Sequence, residues 1–334
     1  MANAPHRRAL VTGATGGLGL AVVEALTEAG YAVRATGRDA SAKARLEALG
    51  AEVALADLTA AGVVEALCAG MDAVFHAAAL SSPWGPDAVF QAVNVTATGA
   101  LLAAAKAAGA SSFIFVSSPS IYTRPKDQLG LTEADLPTDR PMNAYAATKG
   151  EAERLVLAAN APGFATVAIR PRAIVGPDDK VLLPRVLRLV AGGRFPVMRR
   201  GAAMIELTDV RDAAHAMLLA DQRRESAAGR PFNISGGRPI SMRDLALRLG
   251  EALGRPLTLV PVSVGVTMAA AALMQAVCKI LPGQPEPPLT PYSVAALAWS
   301  QTFDLTQARA VLGYEPRYDA VETAAAMARA GAAA

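Results

Sequence analysis

The stretch Thr12-Gly13-Ala-Thr-Gly16-Gly-Leu-Gly19 follows a short apolar run at 9–11 and opens a helix-forming segment. Glycine has no side chain, so three glycines at this spacing allow a tight turn and let backbone N–H groups come close to a phosphate. They also let the helix pack directly on the strand. A strand, such a turn and a helix in this order predict the first unit of a dinucleotide-binding fold, with an ordinary glycine turn as the alternative.

Short apolar runs alternate with helical stretches along the first half of the chain. The predicted strands are 9–12, 31–36, 52–56, 72–76, 112–117, 165–170 and 230–234, and the predicted helices are 17–29, 58–68, 88–107, 143–160 and 209–221. Such alternation indicates right-handed crossovers between parallel strands. The sequence therefore predicts an α/β protein with a Rossmann-type doubly wound parallel sheet and a smaller C-terminal substrate-binding domain.

The predicted division of the chain is discontinuous. Residues 1–174 with about 205–235 form the dinucleotide-binding domain, and about 175–204 with 236–334 form the substrate-binding part, where Pro and Gly become frequent near 282–291.

Composition limits the class of protein. The chain has 334 residues, 52% of them hydrophobic and 18% charged, which is typical of a folded domain rather than a disordered one. Its net charge of +3 comes from scattered arginines without interleaved aromatics, so a nucleic-acid partner is not expected. Cys68 and Cys278 lie far apart, and neither a disulfide nor a metal site is indicated. The N-terminal residues resemble no signal peptide, and we expect a cytoplasmic enzyme.

Tyr145 and Lys149 are four residues apart on a predicted helix, which places the phenol and the ammonium on one face. An attraction of about 4 kcal/mol at about 4 Å lowers the pKa of a phenol toward neutrality, where it can transfer a proton. Hydroxyls at Ser117, Ser118 and Ser120 follow the fifth strand at the ligand-binding edge of the sheet, where one of them can hold a substrate carbonyl.

The end of the second strand bears on the choice of cofactor. It reads Thr36-Gly37-Arg38-Asp39, with glycine where an NAD-binding protein usually has an acid for the ribose 2′-hydroxyl. Arg38 can pair with a 2′-phosphate, so we expect NADP to be preferred over NAD. In the alternative interpretation, Arg38 is solvated and Asp39 binds the ribose. Asp57, after the third strand, either meets the adenine or caps a helix beginning at Leu58.

These motifs together resemble those of the extended short-chain dehydrogenases/reductases, and the similarity covers nearly the whole chain. The resemblance implies that Ser118 polarises the carbonyl, that Tyr145 is the proton donor or acceptor, and that Lys149 binds the nicotinamide ribose. It also implies support of the active-site backbone by Asn94 and a homodimer formed through two long helices. The expected cofactor-binding residues are Gly13, Thr15, Gly16, Gly17, Leu18, Gly19, Arg38, Asp57, Leu58, His76, Ala77, Ala78, Asn94, Tyr145, Lys149 and Pro171. We expect His76 to have a structural role and not a catalytic one.

Within that superfamily, the motif at 168–177 and the C-terminal patterns at 288–298 and 303–316 resemble the 3β-hydroxysteroid dehydrogenases and the 2-alkyl-3-oxoalkanoate reductases. The resemblance implies interconversion of a secondary alcohol and a ketone on a large apolar substrate. A nucleotide-sugar epimerase or dehydratase is the first alternative. Arg172, Arg185 and Arg188 support it, but such enzymes commonly have an asparagine where this chain has Ala173. A non-catalytic NADP-binding redox sensor is the second.

An uncharged apolar segment lies between Arg255 and Lys279. It is long enough to span a bilayer, but Pro261, Gly265 and Gln275 interrupt it. We expect a buried helix or a lid over an apolar pocket, with contact between 257–280 and a membrane surface as the alternative.

Overall fold

The computed structural model describes residues 7–179, 187, 190 and 192–333, and for 331–333 only the backbone. Its strands are β1 (Arg8–Thr12), β2 (Ala32–Thr36), β3 (Glu52–Val53), β4 (Ala73–His76), β5 (Ser112–Val116), β6 (Gln128–Leu131), β7 (Ala165–Pro171), β8 (Ile174–Val175), β9 (Arg194–Met198), β10 (Met204–Ile205), β11 (Thr208–Asp209), β12 (Arg230–Ile234), β13 (Ile240–Ser241), β14 (Thr258–Val262) and β15 (Gln301–Phe303).

A seven-stranded sheet forms the centre of the fold, in the order β12-β7-β5-β4-β1-β2-β3. Every neighbouring pair in it is parallel. The order reverses between β1 and β4, because the chain runs outward from β1 to β3 and then returns to β4. Open parallel sheets bind ligands at the carboxyl edge beside such a reversal. The predicted doubly wound sheet is confirmed, and β12 joins it as expected.

The described helices are α1 (Gly17–Glu28), α2 (Lys43–Ala48), α3 (Val63–Cys68), α4 (Asp87–Ala107), α5 (Ala144–Ala158), α6 (Val210–Gln222), α7 (Arg224–Ala227), α8 (Met242–Ala252), α9 (Val264–Ile280), α10 (Pro291–Ala298) and α11 (Ala320–Ala333). Helices cover both faces of the sheet. Val23 of α1 and Met217 of α6 are buried on one face. Leu67 of α3, Leu101 of α4 and Val156 of α5 are buried on the other. Both faces are apolar because both are covered.

The helix predicted at 58–68 begins only at Val63. The Asp57 carboxylate accepts hydrogen bonds from the backbone N–H and the hydroxyl of Thr59, at 2.9 and 2.7 Å, which closes a local turn instead of capping a helix. Gly62 then adopts a left-handed conformation at φ 75°, immediately before the first helical residue.

A second, smaller region lies at the carboxyl edge of the central sheet. It contains a four-stranded sheet in the order β13-β10-β15-β6 and the strand pairs β14–β9 and β11–β8. Phe195, Leu245 and Ala324 belong to its apolar core. The division of the chain into two domains stays a prediction.

Helix α4 is, among the described helices, the one whose length and composition suit a membrane span, but half of its most apolar window is buried within the fold. It packs with α3 and α5 against the sheet, which is typical of a core helix in a globular protein.

Candidate active site

A cavity of about 1410 Å³ lies along the carboxyl edge of the central sheet. Its wall includes Gly13, Gly37, Ala77, Ser118 and Pro171, which lie at or just after the ends of five parallel strands. Pockets for one small ligand usually have volumes of about 300–1,000 Å³. This cavity therefore has room for a dinucleotide together with a second molecule.

The glycine turn has the shape that a bound dinucleotide requires. Gly13 has φ +68°, and a Cβ there would lie 2.7 Å from the backbone nitrogen of Ala78. A Cβ on Gly19 would lie 2.1 Å from the carbonyl oxygen of Gly13, so the strand and α1 approach as closely as only glycine permits. Helix α1 begins at Gly17 without a side-chain cap, which leaves its first N–H groups to bind phosphate. The predicted cofactor residues Gly13, Thr15, Gly16, Gly17, Leu18 and Gly19 all line the cavity.

The end of β2 forms the far wall beside this turn. A Cβ on Gly37 would lie 2.4 Å from Thr15 Oγ1, so a larger residue does not fit there. The Arg38 side chain is 71% exposed, and its Nη1 lies 3.9 Å from Asp57 Oδ2. Asp39 Oδ1 accepts hydrogen bonds from the backbone and hydroxyl of Ser41. Arg38, Asp57 and Leu58 line the cavity as predicted, in positions suited to the adenosine half of a dinucleotide.

Ser118 and Tyr145 meet where the cavity passes the end of β5. Ser118 caps a short 3₁₀ turn, because its Oγ accepts a hydrogen bond from the Ser120 backbone at 3.2 Å. Asn143 caps α5 in the same way, with 2.8 Å between its Oδ1 and the Ala146 nitrogen, and this fixes Tyr145 in the first turn of α5. Burial raises the pKa of Tyr145 to about 12, although hydrogen bonding with Ser118 lowers it in part.

The other two serine candidates differ from Ser118. Ser117 is buried and absent from the cavity wall, and its backbone nitrogen bonds to the carbonyl of Ile169. Ser120 lines the cavity, but its Oγ is buried without a hydrogen-bond partner among the described residues. Ser118 alone of the three both lines the cavity and interacts with the Tyr145 hydroxyl.

Lys149 is buried behind Tyr145. Its Nζ donates a hydrogen bond to the backbone carbonyl of Val116 and lies 4.1 Å from the ring centroid of Phe115. Burial lowers the pKa of Lys149 to about 7, against the opposing influence of Glu153 one helical turn further on. The expectation that Lys149 brings the Tyr145 pKa toward neutrality is wrong for this structure, because burial of the phenol dominates and the ammonium is bonded to Val116.

Asn94 connects the segment at the cavity wall to α5. Its Oδ1 accepts from the Leu80 backbone at 2.8 Å, and its Nδ2 donates to the Leu80 carbonyl and to Thr148 Oγ1 at 3.2 and 3.1 Å. Asn94 lies in a π-helical segment of α4, a turn type that is common at functional sites. Its side chain does not line the cavity, so it supports the site instead of contacting a ligand.

His76 is also a structural residue in this fold. Its two ring nitrogens lie 2.7 Å from Thr12 Oγ1 and 2.8 Å from Thr98 Oγ1, which joins β4 to β1 and α4. Complete burial lowers the pKa of His76 to about 3, so the ring is neutral at physiological pH. The prediction that His76 contacts a cofactor is wrong for its side chain, which is turned into the core rather than the cavity.

A buried ion pair, which the sequence reasoning missed, begins one helical turn after Lys149 on α5. Arg170 donates to both carboxylate oxygens of Glu153 and also to the Tyr122 hydroxyl. Both charged side chains are about 95% buried. Glu153 lies on α5 and Arg170 on β7, so the pair joins the helix that carries Tyr145 to the sheet.

The opposite end of the cavity belongs to the smaller region and is mostly apolar. Its wall includes Phe195, Pro196, Met198, Ile205, Leu207, Met242, Leu245, Leu249, Val262, Leu289 and Leu297. The polar side chains at this end include Arg172, directly after β7, and Tyr292, in the first turn of α10, together with Thr267, Glu286, Thr290 and Ser293. Tyr292 is a second residue that the sequence reasoning missed, since only the resemblance of the tail at 288–298 pointed to that segment. Arg185 and Arg188 lie outside the described residues.

Comparison with known proteins identifies the family. The model of the family described as "NAD dependent epimerase/dehydratase family" matches residues 9–235, about two thirds of the chain. The chain belongs to this family. It is therefore an extended short-chain dehydrogenase/reductase, that is, a dehydrogenase/reductase or epimerase enzyme of the NAD-dependent type.

Three relatives align along nearly their whole length. A 2-alkyl-3-oxoalkanoate reductase of Stenotrophomonas maltophilia is 35% identical over 92% of this chain and 94% of its own. A 4-hydroxy-2-methyl-3-oxo-4-farnesyl-3,4-dihydroquinoline-1-oxide ketoreductase of Stigmatella aurantiaca is 33% identical over 98% and 97%. A 3 beta-hydroxysteroid dehydrogenase/Delta 5-->4-isomerase of Mycobacterium tuberculosis is 32% identical over 93% and 86%.

Solved structures share the fold. MoeE5 in complex with UDP-glucose and NAD is 24% identical, with a TM-score of 0.73 over 96% of this chain and 97% of its own. At this identity the match establishes the architecture of the chain alone.

Proposed function

We propose that the protein interconverts a secondary alcohol and a ketone on a large apolar substrate, with NADP or NAD as cofactor. The observation that carries this proposal is the meeting of Ser118 and Tyr145 at one point of a cavity whose far end is lined mainly by apolar side chains. Large apolar substrates also fit the names of the reductase, ketoreductase and steroid dehydrogenase relatives.

Each catalytic residue has a distinct role in the proposed reaction. When bound, the nicotinamide supplies the hydride in reduction and takes it up in oxidation. Ser118 and Tyr145 hold the substrate oxygen through their hydroxyl groups. With a pKa of about 12, Tyr145 is protonated at neutral pH and donates its proton to that oxygen in reduction. In oxidation the same hydroxyl must first lose its proton, so alcohol oxidation is favoured at high pH.

Arg38 supports a preference for NADP within this proposal. Its exposed guanidinium follows Gly37, at the position where an acid would repel a 2′-phosphate. Asp57 lies at the edge of ion-pairing distance from Arg38, and its own carboxylate is bonded to Thr59. Arg38 can therefore bind a phosphate without first breaking a close ion pair.

The epimerase alternative shares the fold, the cofactor and the Tyr145–Lys149 pair. Its diphosphate-bearing substrates need a polar wall, whereas the described wall beyond Tyr145 is predominantly apolar. A redox sensor would not need the Ser118–Tyr145 interaction that the cavity retains. We therefore favour the ketone reductase over the epimerase and over the redox sensor as the function of this protein.

A substrate panel tests this proposal. Oxidation of NADPH and of NADH is followed by absorbance with 3-ketosteroids, 2-alkyl-3-oxo acids and simple ketones, and the reverse reaction is run with the alcohols. Consumption with one class of ketone supports the proposal and identifies the class. Cofactor binding without turnover of any ketone or alcohol contradicts it and favours the epimerase or the sensor.

We also propose that the enzyme acts in the cytoplasm as a homodimer and that α9 touches a lipid surface. Ala271 is the one buried residue of that helix, so the helix is not buried, and the expectation that it forms a lid over the pocket stays a prediction. Thr267 lines the cavity, while Val266, Leu273 and Ile280 are 70, 67 and 84% exposed. A helix with an apolar outer face beside an apolar cavity is suited to taking substrate from a membrane surface.

A further inference from the structure

We propose that Arg172 binds a carboxylate of the substrate, so that the enzyme selects an oxo or hydroxy acid over a neutral ketone or alcohol. This inference rests on the function proposed above and specifies its substrate class.

The guanidinium of Arg172 lines the cavity with its Nε buried, and no hydrogen-bond acceptor among the described residues reaches that nitrogen. The described carboxylates likewise form no ion pair with it. An arginine stays charged in a protein, and a buried charge without a partner is unfavourable. Such a group is typical of a site that an anion completes.

The backbone on either side of this guanidinium is fixed. The Arg172 nitrogen donates to the Ile234 carbonyl at 2.9 Å, and the Arg172 carbonyl accepts from the Thr208 hydroxyl. The side chain begins directly after β7 and lines the cavity. An anion-binding group held in this way is pre-organised, which favours selectivity.

Glu206, the acid whose charge acts on Arg172, forms no ion pair with it. Glu206 is close enough for the Arg172 charge to lower its pKa, although burial has the larger effect and raises that pKa. The two oxygens of Glu206 accept hydrogen bonds from the Phe303 backbone and the Ser235 hydroxyl. Glu206 is thus held by other donors, and the guanidinium remains available to a ligand.

Tyr292 connects the Arg172 position to the reacting centre. Tyr292 is close enough to Tyr145 to raise the pKa of the Tyr145 phenol. It is also close enough to Arg172 for the guanidinium to lower the pKa of Tyr292. Burial remains the larger effect on both phenols and raises both pKa values. In a 3-oxo acid the carboxylate carbon lies two bonds from the carbonyl carbon. A 3-oxo acid whose carbonyl oxygen is held by Ser118 and Tyr145 therefore keeps its carboxylate close to the reacting centre, in the part of the cavity that Tyr292 also lines.

The remaining charged residues of the wall favour a single anionic group at this end. Arg38, Asp39 and Asp57 lie at the adenosine end, and Asp178 is paired with Arg45. Asp179 and Glu286 are acids, which do not attract an anion. Arg172 is the one cation among the described residues at this end of the wall, and a single cation matches one carboxylate on an apolar chain better than it matches a diphosphate, which needs several donors.

The test compares an acid with its methyl ester, which has the same carbon skeleton but no charge. A 2-alkyl-3-hydroxy acid and its ester are oxidised by the wild type, Arg172→Gln and Arg172→Lys, and binding is measured by calorimetry in the presence of cofactor. Arg199→Gln is the control, since Arg199 is bonded to Asp127 and lies outside the cavity wall.

We expect the wild type to prefer the acid, and Arg172→Gln to lower kcat/KM for the acid about 30-fold while leaving the ester within about threefold. Arg172→Lys should recover part of the acid activity. Without ligand, Arg172→Gln should be at least as thermostable as the wild type, because it removes a charged group whose Nε is buried without a hydrogen-bond partner among the described residues. A normal melting temperature also shows that the variant folds.

Two results overturn the assignment: equal use of acid and ester by the wild type, or equal losses with both in Arg172→Gln. If neither compound is turned over, calorimetry still decides. Binding of the acid that depends on Arg172 then supports this inference while the proposed reaction fails, and no such binding overturns both.

Discussion

The ammonium group of Lys149 donates a hydrogen bond to the backbone carbonyl of Val116, with 2.5 Å between the two atoms. Val116 ends β5, and Ser118 follows it by two residues, whereas Tyr145 lies one helical turn before Lys149 on α5. This bond therefore fixes the position of the helix that carries Tyr145 relative to the loop that carries Ser118.

Lys149→Met should give a protein that is more stable at pH 7 but nearly inactive. The unfolded lysine keeps its proton up to about pH 10.5 and the folded one only up to about 7. Between these values the unfolded chain holds more protons, so the wild-type free energy of unfolding rises with pH. The variant should lack this rise. Urea unfolding of both proteins at pH 7 and 9 measures it, and parallel pH dependences would contradict the buried, depressed lysine.

Tyr145→Phe should lower kcat by about 10²–10⁴-fold, because it removes the group that transfers the proton. The ring still fills its place, so cofactor binding should change little. Cofactor absorbance gives the rate, and fluorescence titration gives the dissociation constant. Normal turnover in this variant would remove Tyr145 from the mechanism.

Asn94→Ala should destabilise the fold by about 1–3 kcal/mol, because it removes the hydrogen bonds of the buried Asn94 side chain to the Leu80 backbone and the Thr148 hydroxyl. It should also lower kcat/KM, since the neighbours of Leu80 in the chain, Ala79 and Ser81, line the cavity. Gln91→Ala is the control, because Gln91 lies in the same helical segment but makes an exposed bond to Glu151. Urea unfolding and steady-state kinetics should separate the two variants, and equal effects would refute the supporting role.

Arg38→Ser should reduce the preference for NADPH over NADH about tenfold, because it removes a charged hydrogen-bond donor to the 2′-phosphate. The ratio of the two kcat/KM values measures this preference. Lys43→Ala, which removes a nearby exposed cation paired with Glu47, should leave the ratio unchanged. An unchanged ratio in Arg38→Ser would instead favour the interpretation in which Arg38 is solvated.

The exposed face of α9 should determine attachment to lipid. Leu273→Gln combined with Ile280→Gln should reduce co-sedimentation with phosphatidylcholine vesicles, because both side chains project from the outer surface of the helix. The exposed Leu136, in the loop between β6 and α5, provides the matched control Leu136→Gln. If the wild-type protein does not bind the vesicles, the proposal is refuted.

The sequence predicted the sheet well because local patterns determine it. Apolar runs of strand length and the glycines at 13, 16 and 19 carry their information within a few residues. The start of α3 was misplaced, since an Asp57–Thr59 turn and the left-handed Gly62 compete with a helical pattern that continues across them. Lys43–Ala48 was missed because only Leu46 of that helix is buried.

The sequence by itself determined the fold class, the glycine turn, and the residues that form the Ser118–Tyr145–Lys149 set, because each depends on short-range spacing or on family resemblance. Only the tertiary structure decided how these groups interact: that burial raises the Tyr145 pKa, that Lys149 bonds to Val116, and that His76 faces the core. It also brought Arg172 and Tyr292 together, although 120 residues separate them in the chain. Burial and through-space electrostatics depend on the elements that pack around a group, and no local pattern in the sequence specifies them.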